Sequence, residues 1–185
     1  MALTSSNMLA LGTEMPEFEL TDTVTDTSFS HTMLSKAKGS VIMFICNHCP
    51  YVIHIQDEIV QVANDYKEKG IDFVAISSND VKNYPADSPE MMKIRAEELN
   101  FDFPYLYDVS QEVAKRFEAA CTPEFYLFDS NQQCVYRGRF DDSSPGNGKP
   151  VTGADLRNAL DKLLKGESVM AEEQFPSMGC NIKWL

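Results

Sequence analysis

Residues 40–51 read S-V-I-M-F-I-C-N-H-C-P-Y. The first six are β-branched and aromatic residues with one Ser and one Met, the composition of a buried strand. Cys46 ends that run, and Cys49 and Pro50 follow. Beyond them Val52, Ile55, Ile59, Val62, Ala63 and Tyr66 recur at steps of three and four, a helical stripe. The order is strand, C-x-x-C, helix. Backbone N–H groups at a helix start favour an anion, so a cysteine there ionises more easily, and the thiolate is the nucleophile. The sequence assigns that role to Cys46. Cys49, one turn further, is expected to attack a mixed disulfide and close the pair.

Composition narrows the setting. The chain has 185 residues, 43% of them hydrophobic and 10% aromatic, which suits one domain with a full core rather than a disordered chain. No apolar run approaches the length of about 18 residues that spans a bilayer, and residues 1–16 lack the basic start and apolar centre of an export signal. A cytoplasmic protein is expected. The formal net charge of −12 argues against nucleic acid or an anionic membrane as partner. Five cysteines, at 46, 49, 121, 134 and 180, make one close pair and three scattered singles. That is no secreted disulfide scaffold; it fits a redox protein in a reducing compartment.

Working outward, Gly70 ends the helix and residues 71–77, I-D-F-V-A-I-S, form a second strand. A strand–helix crossover joins the two strands, so they are expected to be parallel. Residues 79–87 are polar and read as a loop. Ser88-Pro89-Glu90 starts a helix carrying Met92, Ala96 and Leu99. A short extended piece at 104–107 and a helix within 110–119 come next. Residues 123–129 and 134–140 form an antiparallel hairpin across a four-residue turn. After a loop at 141–150, Thr152 with Asp155 caps a last helix bearing Leu156, Ala159, Leu160, Leu163 and Leu164, which Gly166 ends. Toward the N-terminus, 17–20 and 27–29 are short strands behind an arm at 1–16. The sum is an α/β chain with a mixed sheet and helices on both faces.

Four segments carry a family resemblance: E-M-P-E-F-E-L at 14–20, I-C-N-H-C-P-Y at 45–51, C-T-P-E-F-Y-L-F-D at 121–129 and Y-R-G-R-F-D-D at 136–142. Together they resemble the thioredoxin superfamily, in its redoxin branch, the alkyl hydroperoxide reductase/thiol-specific antioxidant-like proteins. G-C-N-I-K-W at 179–184 resembles the end of an uncharacterised thioredoxin-like group with a C-N-H-C motif. The resemblance implies a thioredoxin-like fold over about 12–166 within a single domain of 1–185, with an N-terminal extension and a tail at 167–185. It also implies a cis bond between Thr122 and Pro123 beside the cysteine pair. Two departures stand out. Thioredoxin carries Trp before the first cysteine and Gly-Pro between the two, where this chain has Ile45 and Asn47-His48. Peroxiredoxins carry P-x-x-x-T-x-x-C; counted back from Cys46, those places hold Gly39 and Met43, so the threonine that positions a peroxide is missing.

The candidate site is Cys46, Cys49, His48, Thr122 and Pro123. A cationic His48 between the cysteines is expected to stabilise the Cys46 thiolate and make the disulfide more oxidising. Structural zinc is the competing reading of the pair, but with His48, His54 and Cys180 as further ligands the spacing matches no common zinc site. His54 reads as a packing or surface residue, Cys121 and Cys134 as buried thiols, and Asp141-Asp142 as a solvated turn. Cys180 is a possible third thiol. Its tail, 169–185, has frequent apolar residues without period and is expected to dock in irregular form on Trp184.

These readings converge on a thiol–disulfide oxidoreductase. It needs no dissociable cofactor, and no G-x-G-x-x-G is present to bind one. It takes a protein or small-molecule disulfide as substrate and a separate thiol as reductant. Two alternatives stay open: a thiol peroxidase with Cys46 as the attacked sulfur, and a copper carrier using Cys46, Cys49 and a histidine.

Overall fold

A computed structural model describes residues 3–34 and 37–185. In chain order its strands and α-helices are β1 (Leu3–Ser5), β2 (Glu19–Asp22), β3 (Ser28–Ser30), β4 (Gly39–Phe44), α1 (Pro50–Lys67), β5 (Ile71–Ser77), α2 (Pro89–Glu98), β6 (Tyr105–Tyr107), α3 (Glu112–Arg116), β7 (Cys121–Thr122), β8 (Glu124–Asp129), β9 (Cys134–Gly138), α4 (Ala154–Lys165) and β10 (Met178–Asn181). Seven strands form one mixed sheet in the order β3-β2-β6-β5-β4-β8-β9. The crossover through α1 makes β4 and β5 parallel, and the short turn makes β8 and β9 antiparallel, as the connections require.

The central strand β4 is buried along its whole length, and its side chains alternate between two cores. Val41 and Met43 face α1, α2 and α4, packing with Ile55, Ile59, Met92, Leu156 and Leu160. Ile42 and Phe44 face the opposite side, where Leu9, Phe18, Val113 and Phe117 cover them. All six residues of the expected α1 stripe are buried, each worth about 1.5–3 kcal/mol for a large apolar side chain. The packing on both faces fixes β4 firmly, and so fixes where its C-terminal end delivers the cysteines.

A second sheet of three strands, β1-β10-β7, joins the two ends of the chain. Leu3 pairs with Cys180, and Cys180 pairs with Thr122. The Thr122–Pro123 bond is cis, and it stands where the chain leaves β7 and enters β8 of the main sheet. The expected arm at 1–16 is therefore in part a strand; its residues 1 and 2 lie outside the described ones. The tail is not irregular at its core either. Gly179 allows the pairing: a Cβ there would stand 2.1 Å from the Thr122 carbonyl oxygen. Trp184 is no anchor, being 43% exposed, whereas Ile182 is buried in the second core. Backbone bonds hold the rest. Lys183 donates its N–H to Asn79 Oδ1 at 2.8 Å, and its carbonyl accepts from the Asp80 N–H and Gln111 Nε2, both at 2.8 Å.

The start of α4 also departs from expectation. Its N-cap is Gly153, in the left-handed region at φ +64°, with no cap from Thr152. Asp141 does that work from the preceding loop: its Oδ2 accepts the N–H groups of Thr152 at 2.7 Å and Gly153 at 2.8 Å. Asp141 is buried rather than solvated. Burial raises its pKa, but these donors and Ser143 outweigh burial and leave it below the usual carboxylate value. Asp155 instead pairs with Arg139 at 2.6 Å. Among the described residues no helix is long and apolar enough to cross a membrane.

Candidate active site

The N-cap of α1 is Cys49, with Pro50 as the first helical residue. Cys46 lies three residues earlier, in the turn that leaves β4. The helix-start position that the sequence reading gave to Cys46 thus belongs to Cys49. Both sulfurs are buried, and none of the five cysteines forms a disulfide.

Thr122 bridges the two. Its Oγ1 is 3.5 Å from Cys46 Sγ, and its carbonyl oxygen accepts from the Cys49 thiol at 3.2 Å. Cys49 Sγ also lies 2.8 Å from Cys180 Sγ. These contacts divide the acidity of the pair. Donation from the Cys46 thiol lowers the Cys49 pKa most; burial opposes it, and Cys180, the Val52 N–H and Thr122 lower it further, to about 5. Cys46 moves the other way: its bond to Cys49, its burial and the nearby Asp87 carboxylate all raise it well above an ordinary thiol. The arrangement lowers the pKa of Cys49 and raises that of Cys46.

His48 sits between them, with Nδ1 4.0 Å from Cys46 Sγ. The same nitrogen is 2.6 Å from Asp87 Oδ2, and the ring stacks on Tyr84 at 5.2 Å. The His48 ring thus has Asp87 as its near partner and Cys46 as its more distant one. Asp87 is fully buried and is the hub of this loop. It accepts the N–H groups of Asn47 at 2.8 Å and His48 at 3.2 Å, and the Asn79 amide at 2.8 Å. Asn47 in turn donates to the Ala86 carbonyl and accepts from the Tyr105 hydroxyl.

The sequence reading missed Asp87, Tyr84, Asn79 and Asn47. One signal was present. Parallel β4 and β5 end at the same edge of the sheet, so the loop after β5 must lie beside the loop after β4. The polar 79–87 segment was bound to meet the cysteine turn.

The other singled-out residues stay apart from this contact set. His54 lines a cavity of about 190 Å³ with Tyr51, Pro123, Arg139 and Phe140. Cys121 faces the Glu124 carboxyl at 3.8 Å, and burial pushes its pKa far up. Burial likewise pushes Cys134 up to about 12. Both are inert by that measure. Among the described residues, the group whose ligand atoms lie within 4.8 Å of one another is Cys46, His48 and Asp87.

Residues 11–137 match the model of the AhpC/TSA family. The chain belongs to the AhpC/TSA family. An AhpC/TSA-family chain with a thioredoxin-like fold has near neighbours among solved structures. An uncharacterized conserved protein from Geobacillus kaustophilus is 55% identical, with a TM-score of 0.97 over 100% of this chain and 97% of that one. A hypothetical protein from Sinorhizobium meliloti 1021 is 44% identical, with a TM-score of 0.96 over 98% of each chain. Peroxidoxin BcpB from Mycobacterium tuberculosis is 20% identical, with a TM-score of 0.62 over 84% of this chain and 96% of that one, a likeness of fold alone. No curated protein matches. Family membership makes this a thiol-based redox protein, with the reaction left to its own residues.

Proposed function

We propose that this AhpC/TSA-family chain is a thiol–disulfide oxidoreductase whose Cys46 and Cys49 alternate between dithiol and disulfide. The observation that carries the reading is Cys49 at the N-cap of α1, its pKa lowered by the thiols and Thr122 around it. The attacking sulfur in this proposal is Cys49, and Cys46 resolves. The Cys49 thiolate attacks one sulfur of a substrate disulfide; a Cys49–substrate bond forms, and the substrate's own S–S bond breaks. The departing thiolate takes up a proton. Cys46, losing its proton, then attacks Cys49, forms the Cys46–Cys49 disulfide and releases the second substrate thiol. Two electrons leave the protein, and a separate thiol must return them. Pro123 and Thr122 give the substrate chain a backbone edge beside the pair. His48 and Asp87 are positioning residues, holding the turn between the cysteines.

Reduction of a hydroperoxide is the second reading, favoured by one observation: both sulfurs are buried, which admits a small oxidant more readily than a protein disulfide. There the Cys49 thiolate takes the terminal oxygen and releases water or an alcohol, and Cys46 condenses with the sulfenic acid, releasing water. Counted back from Cys49 rather than Cys46, the peroxiredoxin pattern puts Cys46 at the threonine place and Ile42 at the proline place. The threonine hydroxyl is missing on either count, which favours disulfide exchange.

Turnover with a dithiol reductant tests both. Reduction of a small aromatic disulfide, abolished by Cys49→Ser and exceeding hydrogen peroxide reduction under the same conditions, is the expected result. Faster peroxide turnover moves the assignment to the second reading. Activity that survives Cys49→Ser overturns both.

A further inference from the structure

We infer that Cys180 is a third redox thiol, which takes over the disulfide from Cys46 so that it moves to Cys49–Cys180. This rests on the reading of Cys46 and Cys49 as a redox pair. Cys49 Sγ is 2.8 Å from Cys180 Sγ, against about 2.05 Å in a formed disulfide, so little movement joins them. The approach is built in by the small sheet. Cys180 lies opposite Thr122 in the β10–β7 pairing, and the Thr122 carbonyl is the group that Cys49 also touches. Leu3 of β1 pairs with Cys180 from the other side. A side chain at Gly179 would collide with the Thr122 carbonyl, so the glycine is what lets Cys180 come this close.

Proximity to Pro123 alone does not make a third thiol. Cys121 is two residues from Pro123 and equally buried, yet its sulfur faces the Glu124 carboxyl and the Pro123 and Ser177 carbonyls rather than another sulfur. Cys180 alone of the three single cysteines meets the pair.

The exchange balances without an added oxidant. Cys180 loses its proton and attacks Cys49; the Cys49–Cys180 bond forms as the Cys46–Cys49 bond breaks. Cys46 leaves as a thiolate and takes up the proton, with no net oxidation. In the reduced protein burial first, and then the bond to Cys49 and its charge, raise the Cys180 pKa to about 12. Oxidation of Cys49 removes the second and third of these causes and leaves burial, the first, in place. A thiol of higher pKa is also the stronger nucleophile as its thiolate. The product ties the C-terminal strand to the start of α1 and returns Cys46 to the thiol form beside Thr122 and His48.

Peptide mapping of the full chain after mild oxidation and acid quenching tests this. Wild-type protein is expected to yield both Cys46–Cys49 and Cys49–Cys180 links, in a ratio independent of oxidant concentration. Cys180→Ser keeps the first and loses the second entirely. Cys46→Ser, and Cys46→Ala as a second variant, convert fully to Cys49–Cys180, reversibly with a dithiol. Folded Cys46 variants that give only sulfenic acid or intermolecular links overturn the third-thiol role, as does wild-type protein with no Cys49–Cys180 link. Wild-type protein that lacks the Cys46–Cys49 link contradicts the redox-pair reading instead, so the two failures are distinct.

Discussion

His48 Nδ1 lies 2.6 Å from a carboxylate oxygen of Asp87, a residue 39 positions away and fully buried. The same carboxylate gathers two backbone N–H groups of the cysteine turn and the amide of Asn79, whose Oδ1 in turn takes the Lys183 N–H of the tail. One buried carboxyl group thus joins the turn between the cysteines, the loop after β5 and the C-terminal segment.

Asp87→Ala is therefore expected to destabilise the protein by about 3–5 kcal/mol, the range for removing one partner of a buried pair. Asp87→Asn should cost less, because its side-chain oxygen still accepts from the Asn47 and His48 amides. Urea unfolding of the three proteins measures this. Equal, small losses for both variants would mean that the carboxylate is not holding the turn.

The acidity of Cys49 gives a pH signature. A lowered pKa means that the thiolate persists to lower pH than an ordinary thiol, near 8.5, allows. Alkylation of Cys49 by a small uncharged reagent should rise with pH through a midpoint of about 5 and then level off. In Cys46→Ser the largest cause of the shift is weakened, and the midpoint should move up. A midpoint near that of a free thiol in the wild-type chain would contradict the assignment of Cys49 as nucleophile.

Gly179 controls how closely β10 approaches the cis bond. Gly179→Ala puts a methyl group 2.1 Å from the Thr122 carbonyl oxygen, against the backbone of Thr122 and the ring of Pro123. The strand must shift, at a cost of about 1–3 kcal/mol, the range for overpacking. Its withdrawal should uncover the cysteines, so alkylation of Cys46 and Cys49 should quicken while the fold signal by circular dichroism is kept. Unchanged alkylation with unchanged stability would show that β10 does not cover the pair.

The main sheet was legible in the sequence because its strands and helices carry strong periodicity: β4 is a continuous apolar run, and α1 has a stripe that is buried residue for residue. The cis bond came from the family resemblance rather than from any local pattern. What escaped reading is polar or lacks side-chain pattern. Asp87 sits in a loop of ordinary composition, and only its fixed backbone donors make it central. The Met178–Asn181 strand is held by main-chain pairing and a close approach at glycine, neither of which leaves a periodic signal. Composition pointed to Trp184 as the tail's anchor, but the indole is half-exposed and Ile182 is the buried contact.

That correction has a direct consequence. Trp184→Ala should change stability by no more than about 0.5 kcal/mol, as at other surface sites. Ile182→Ala should cost about 2–5 kcal/mol, since it empties a place in the second core. Thermal or denaturant unfolding of the two variants decides between the anchors; a larger loss at Trp184 than at Ile182 would restore the expectation from composition.

The most direct test of the redox pair is an equilibrium titration of the wild-type chain. The protein is equilibrated in buffers of graded ratio of reduced to oxidised dithiol, quenched in acid and mapped for the Cys46–Cys49 link. The account predicts that the link appears and disappears reversibly while the protein stays folded, as a two-electron transition with a tenfold change in ratio per about 30 mV. A folded chain that forms no Cys46–Cys49 link across the whole range, or forms it only as the fold is lost, would contradict it.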